Sequence, residues 1–83
     1  MKRLLVYKQA AQRELARMDR FAANRIIRAL DEYASSGRGD VKSLQGALKG
    51  RFRLRIGKWR VILSSNEPGI VVVIDIDNRG QAY

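Results

Sequence analysis

The amino-acid sequence predicts an α+β fold in the order β-α-α-β-β-β. A small, mainly antiparallel sheet carries an N-terminal helical hairpin packed on one face. Three observations lead there. Apolar residues recur at helical spacing through residues 8–34, the period becomes two from Arg51 onwards, and almost nothing separates the two helical stretches. With 83 residues there is room for one core, so residues 1–83 are expected to form a single domain.

The elements follow in order. "RLLVY" at 3–7 is short, apolar and aromatic at its end, which suits a first strand. "KQAAQRELARMD" at 8–19 sets Ala11, Leu15 and Met18 on one helical stripe and Arg13, Arg17 and Arg20 on the far side. "FAANRIIRALDEYA" at 21–34 places Ile26, Ile27, Leu30, Tyr33 and Ala34 on one face, and Gly37 is a natural helix stop. "SSGRGD" at 35–40 reads as a turn-rich loop and "VKSLQGALKG" at 41–50 as a connector of undefined state. "RFRLRI", "WRVIL" and "IVVVIDID" read as three strands, joined at Gly57-Lys58 and at "SSNEPG".

Composition narrows the function classes. The apolar content of 46% argues for a folded chain. With no cysteine and no histidine, a disulfide scaffold, a thiolate metal site and the commonest general base are all excluded, so no metal or cofactor is expected. The run "GIVVVI" is too short to cross a bilayer and the apolar part of "MKRLLVYKQAAQ" too short for a signal peptide, which predicts a cytoplasmic protein without membrane attachment. The net charge of +9 favours anionic partners, with nucleic acid foremost.

That charge is concentrated in "KGRFRLRIGKWR" at 49–60, where six positive side chains alternate with apolar ones and no negative one occurs. Gly57-Lys58 fits a two-residue hairpin loop of type II′. The pairing then sets Ile56 opposite Trp59, Arg55 opposite Arg60, Leu54 opposite Val61 and Arg53 opposite Ile62. Phe52, Leu54, Ile56, Trp59, Val61 and Leu63 share the face turned to the helices, while Arg51, Arg53, Arg55 and Arg60 share the other. Arg55 opposite Arg60 costs something like 0.2–1 kcal/mol. Strict alternation in the last strand puts Val71, Val73, Asp75, Asp77 and Arg79 on one face, so Asp75 or Asp77 offers partial neutralisation. Four arginines exceed what two aspartates satisfy, and a guanidinium fork matches phosphate geometry, so an anion site is the better reading. Lys49, Arg51 and Lys58 extend it as further contacts for nucleic acid.

With this hairpin and the ending "IDIDNRGQAY" both in view, the chain resembles the RelE/ParE superfamily of bacterial toxins, closer to the RelE branch. The likeness spans nearly the whole chain and is sharpest over 44–83, where L-x-G, R-x-R-x-G-x-W-R-V and R-x-x-x-Y occur in that order. It implies the toxin of a toxin–antitoxin pair, inhibited by a cognate antitoxin in a hetero-oligomeric complex. Members similar to RelE cut messenger RNA in the ribosomal A site without metal, the 2′-hydroxyl attacking the adjacent phosphate. The resemblance assigns Arg53 and Arg55 to the basic pair on the first hairpin strand and Arg60 to the transition-state clamp. It assigns Arg79 to the arginine after the last strand and Tyr83 to the C-terminal tyrosine. Arg13, Arg17 and Arg20 become anchors for ribosomal RNA.

Two departures qualify this. The RelE enzyme has lysines where Arg53 and Arg55 stand, and arginine is a poor proton acceptor at neutral pH. Many relatives carry histidine where Asn78 sits. Electrostatic stabilisation is thus retained, while Tyr83 is left as the obvious proton shuttle. Two alternatives stay open: a ParE-type inhibitor of DNA gyrase without RNase activity, and a non-catalytic RNA-binding module.

Overall fold

The computed structural model of the chain describes residues 2–44, 50–65 and 67–78. Seven elements follow one another: β1 (Leu4–Tyr7), α1 (Gln9–Arg17), α2 (Arg20–Ser36), β2 (Asp40–Ser43), β3 (Arg51–Ile56), β4 (Trp59–Ser64) and β5 (Ile70–Asn78). The five strands form one sheet in the order β1-β5-β4-β3-β2, parallel at β1–β5 and antiparallel elsewhere. The two helices lie on one face of it, and no described element covers the other.

The helices end where local chemistry dictates. α1 stops at Arg17, two residues short of the expected end, because Met18 is extended and Asp19 already caps the next helix. The Asp19 carboxylate accepts from the Ala22 amide at 2.8 Å, satisfying a donor that the first turn leaves free. At the other end Gly37 adopts φ 79°, the left-handed cap anticipated from the sequence. Arg3 ties β1 to this end of α2: its Nη2 donates to the Tyr33 carbonyl at 2.8 Å, and its guanidinium lies 4.6 Å over the Tyr33 ring.

The core forms between the helices and the sheet. Ile26, Leu30, Leu54, Leu63, Val61, Val71 and Val73 are fully buried, with Ala11, Tyr33, Ile56 and Ile76 completing the cluster. Each such aliphatic side chain contributes about 1.5–3 kcal/mol by leaving water. Leu15, Met18, Phe52 and Trp59 pack against the rim, so the expected stripes are confirmed apart from Ile27, which is exposed. Ile27 lies at the edge of the helical layer, beside a surface hollow lined by Tyr7, Gln12 and Leu15.

Two expectations are corrected. The connector at 41–50 begins as a strand: Asp40–Ser43 pairs with β3 and forms an edge of the sheet. Four polar-rich residues give no period-two signal, and β3 supplies the pairing that the sequence alone does not advertise. The second correction concerns β5. Its pairing with β4 runs from Leu63↔Val73 to Ile62↔Asp75, so Ile74 is an extra residue held in a bulge. Val71 and Val73 therefore face the core, and Asp75 and Asp77 do not share their face.

Candidate anion site on the open face of the sheet

The hairpin has the register read from the sequence: Ile56↔Trp59, Arg55↔Arg60, Leu54↔Val61 and Arg53↔Ile62. Gly57 supplies φ 60° at the first loop position, as a type II′ turn requires. Its missing side chain also leaves room for α2, since a Cβ there would stand 3.0 Å from Nη2 of Arg25. A two-residue loop closes on a hydrogen-bonded pair, which makes Arg55 and Arg60 the next, non-hydrogen-bonded pair, whose side chains are closest.

Pairing across four strands arranges the open face in rows. One reads Asp40, Arg55, Arg60, Asp77; the next reads Lys42, Arg53, Ile62, Asp75. Arg60 Nη2 donates to Asp77 Oδ2 at 2.9 Å, an ion pair with side chains 31% and 47% exposed. Asp75 turns its Oδ1 to the Ile76 amide at 2.9 Å, next to the bulge. Arg53, Arg55 and Arg60 are all half-buried, their aliphatic stems lying against the sheet.

One feature marks the arginines as more than a solvated charged surface. The Nε atoms of Arg53 and Arg55 are shut off from solvent yet donate no hydrogen bond among the described residues. A buried donor without an acceptor is costly, and turning these side chains outward toward an anion on this face would pair it.

The other candidates separate. Arg51 is exposed at the start of β3 and Lys58 is exposed on the turn, flanking the trio along the hairpin. Arg13, Arg17 and Arg20 belong to the helical layer on the opposite side of the sheet, where Arg17 pairs with Glu14 at 3.5 Å. They therefore lie apart from the arginine face of the hairpin. Lys49, Arg79 and Tyr83 lie outside the described residues. Sequence reasoning missed Asp40, Lys42 and Arg25. The first two sit on the unrecognised β2, and Arg25 reaches the turn through a contact between distant elements that no local pattern announces.

Comparison with known proteins agrees with the fold. The family model for the ParE toxin of the type II toxin–antitoxin system parDE matches residues 5–83. The chain thus belongs to the ParE toxin family, within the RelE/ParE superfamily, and is the toxin of a type II toxin–antitoxin system. No curated protein matches the sequence. Among solved structures it is similar to the toxin–antitoxin complex RelBE2 from Mycobacterium tuberculosis, at TM-score 0.82 and 21% identity over 95% of this chain and 100% of that one. An archaeal RelE–RelB complex from Pyrococcus horikoshii gives 0.79 and 22%, covering 99% and 100%. A YoeB/ParE toxin from Agrobacterium tumefaciens gives 0.74 and 20%, covering 94% and 98%. At these identities the structures attest the shared fold.

Proposed function

We propose that the protein is a single-domain, ribosome-dependent endoribonuclease that cuts messenger RNA in the cytoplasm. The observation that carries this reading is the convergence of three half-buried arginines, Arg53, Arg55 and Arg60, on a face of the sheet that no described element covers. In the reaction the 2′-oxygen forms a bond to phosphorus and the bond to the 5′-oxygen breaks. Products are a 2′,3′-cyclic phosphate and a 5′-hydroxyl. Arg53, Arg55 and Arg60 stabilise the charge that builds on the non-bridging oxygens, a contribution that needs no proton transfer by arginine. The 2′-hydroxyl proton must leave to an acceptor, and the departing 5′-oxygen takes up a proton from that group once protonated or from water. Asp40, exposed and paired in register with Arg55, adds a carboxylate on this face to the tyrosine inferred from the family resemblance. Arg79 and Tyr83 complete the site in this reading, with Lys49, Arg51 and Lys58 along the RNA and Arg13, Arg17 and Arg20 on ribosomal RNA.

The antitoxin fits the same open face. Leu4 and Val6 on β1 are 63% and 41% exposed and pair with Ile70 and Val72, forming an apolar half beside the basic half. A segment with an apolar stripe and carboxylates covers both, joining inhibition to neutralisation of the arginines.

Inhibition of DNA gyrase is the second reading, favoured by the ParE description of the family. Phe21, 84% exposed at the start of α2, borders a groove of about 730 Å³ with Arg25, Arg28 and Ile56, a helical surface that the RNase reading does not use. Primer extension on a reporter mRNA in a translation extract, beside a gyrase supercoiling assay, separates the two. New 5′ ends with unaffected supercoiling support the RNase. Blocked supercoiling with intact message supports the gyrase inhibitor, and binding of RNA without either effect leaves a non-catalytic module.

A further inference from the structure

Asp77 reaches the open face because of the bulge in β5. Regular pairing beyond Leu63↔Val73 would set Ile62 against Ile74 and Arg60 against Ile76, turning Asp75 and Asp77 toward the core. Instead Ile74 is taken up as the extra residue, Ile76 is buried, and Arg60 faces Asp77. Bulges re-aim side chains in this way and gather beside functional sites. The two carboxylates of "DID" then take separate tasks. Asp75 accepts from the Ile76 amide, closing the backbone at the bulge, while Asp77 binds the Arg60 guanidinium at 2.9 Å.

We propose that Asp77 is a positioning residue for Arg60, holding its guanidinium in the orientation that meets the scissile phosphate. The proposal rests on the RNase reading. Arg55, directly opposite, pushes Arg60 aside, and a long side chain so repelled spreads over many rotamers. The Asp77 carboxylate draws the guanidinium toward β5 and takes one of its five N–H donors. It thereby fixes the plane of a fork whose value to phosphate depends on direction. The same carboxylate reduces the local positive charge, so it weakens general attraction for RNA while improving alignment. Those two effects fall on different kinetic constants.

The test compares the wild-type chain with Asp77→Asn, Asp77→Glu and Glu67→Gln in steady-state cleavage on programmed ribosomes. Glu67, in the loop at the far end of β4, controls for the gain of one positive charge. Asp77→Asn is expected to lower kcat by roughly tenfold, as loss of alignment does, with KM unchanged or reduced. Asp77→Glu restores part of kcat, and Glu67→Gln retains it. In parallel, nitrogen relaxation of the Arg60 Nε–H group, with Arg53 as internal reference, should show faster and wider motion in Asp77→Asn. Unchanged or raised kcat in Asp77→Asn, a rise in KM alone, or an equally ordered Arg60 overturns the proposal. If the wild-type chain cuts nothing on ribosomes, the RNase reading falls and this role with it. The relaxation data then still report separately whether Asp77 orders Arg60.

Discussion

Arg60→Ala removes the guanidinium that faces Arg55 across the hairpin and bonds Asp77 at 2.9 Å. Its effect on stability is a difference of small terms. Relief of the cross-strand repulsion returns about 0.2–1 kcal/mol. Loss of an ion pair whose partners are 31% and 47% exposed costs a similar amount, about 0.2–1 kcal/mol once solvent screening is allowed for. The net change should stay within about 1 kcal/mol, or roughly 4–8 °C in Tm for a domain of this size. Catalysis should respond far more strongly, because removing one preorganised donor from a developing oxyanion costs about 10²–10³ in rate. Thermal melting by circular dichroism and growth after induction measure the two sides independently. A variant that melts well beyond that range below wild type makes Arg60 a structural residue. One that arrests growth as wild type does removes it from the site. Arg60→Lys, keeping the charge without the fork, should fall between wild type and alanine.

Leu30→Ala should cost about 2–5 kcal/mol in chemical denaturation, since Leu30 is fully buried. Phe21→Ala, at 84% exposure, should change stability by no more than about 0.5 kcal/mol. Burial first, and then the charge of Asp31, raise the Tyr7 phenol above its ordinary value of 10.0. The unfolded chain therefore gives up this proton first, so Tyr7's contribution is intact below pH 10 and is lost as pH rises through the folded-state value. Tyr7→Phe should flatten the decline of Tm above pH 10, and an unchanged decline refutes this assignment. The antitoxin should associate at a rate that falls steeply with salt, as expected for a +9 toxin and carboxylates laid on Arg53, Arg55 and Arg60. A stopped-flow on-rate indifferent to salt argues for a purely apolar interface.

Much of this fold was legible because its signals are local. The β3–β4 register follows from one glycine and strict alternation, and the α2 stop follows from Gly37. The arginine face followed from that register without any knowledge of the remaining strands. The β5 bulge was not legible: Val71, Val73, Asp75 and Asp77 alternate without a break, and only the packing of Ile76 beside Val61 shows that the phase changes at Ile74. β2 was hidden for a similar reason. Its four residues owe their extended state to pairing with β3, a tertiary effect that outweighs weak local preference. The hidden β2 conceals Asp40, whereas Asp77, one of the two aspartates expected to offset the arginines, does pair with Arg60 and only its place in the strand's phase was misjudged.

The proposed activity requires that this face cut RNA only when the ribosome presents it. In the RNase reading a chain without histidine would rely on alignment of the 2′-hydroxyl with the phosphate, and an ordered message would supply that alignment. The deciding measurement incubates purified wild-type protein and Arg60→Ala with one labelled mRNA, free in solution and bound on programmed ribosomes, and maps the product ends. Expected are 5′-hydroxyl ends at A-site codons with the wild-type chain on ribosomes, loss of those ends with Arg60→Ala, and intact free mRNA with both. Cutting of free mRNA at a comparable rate contradicts the ribosome requirement, and intact mRNA in every arm contradicts the RNase assignment itself.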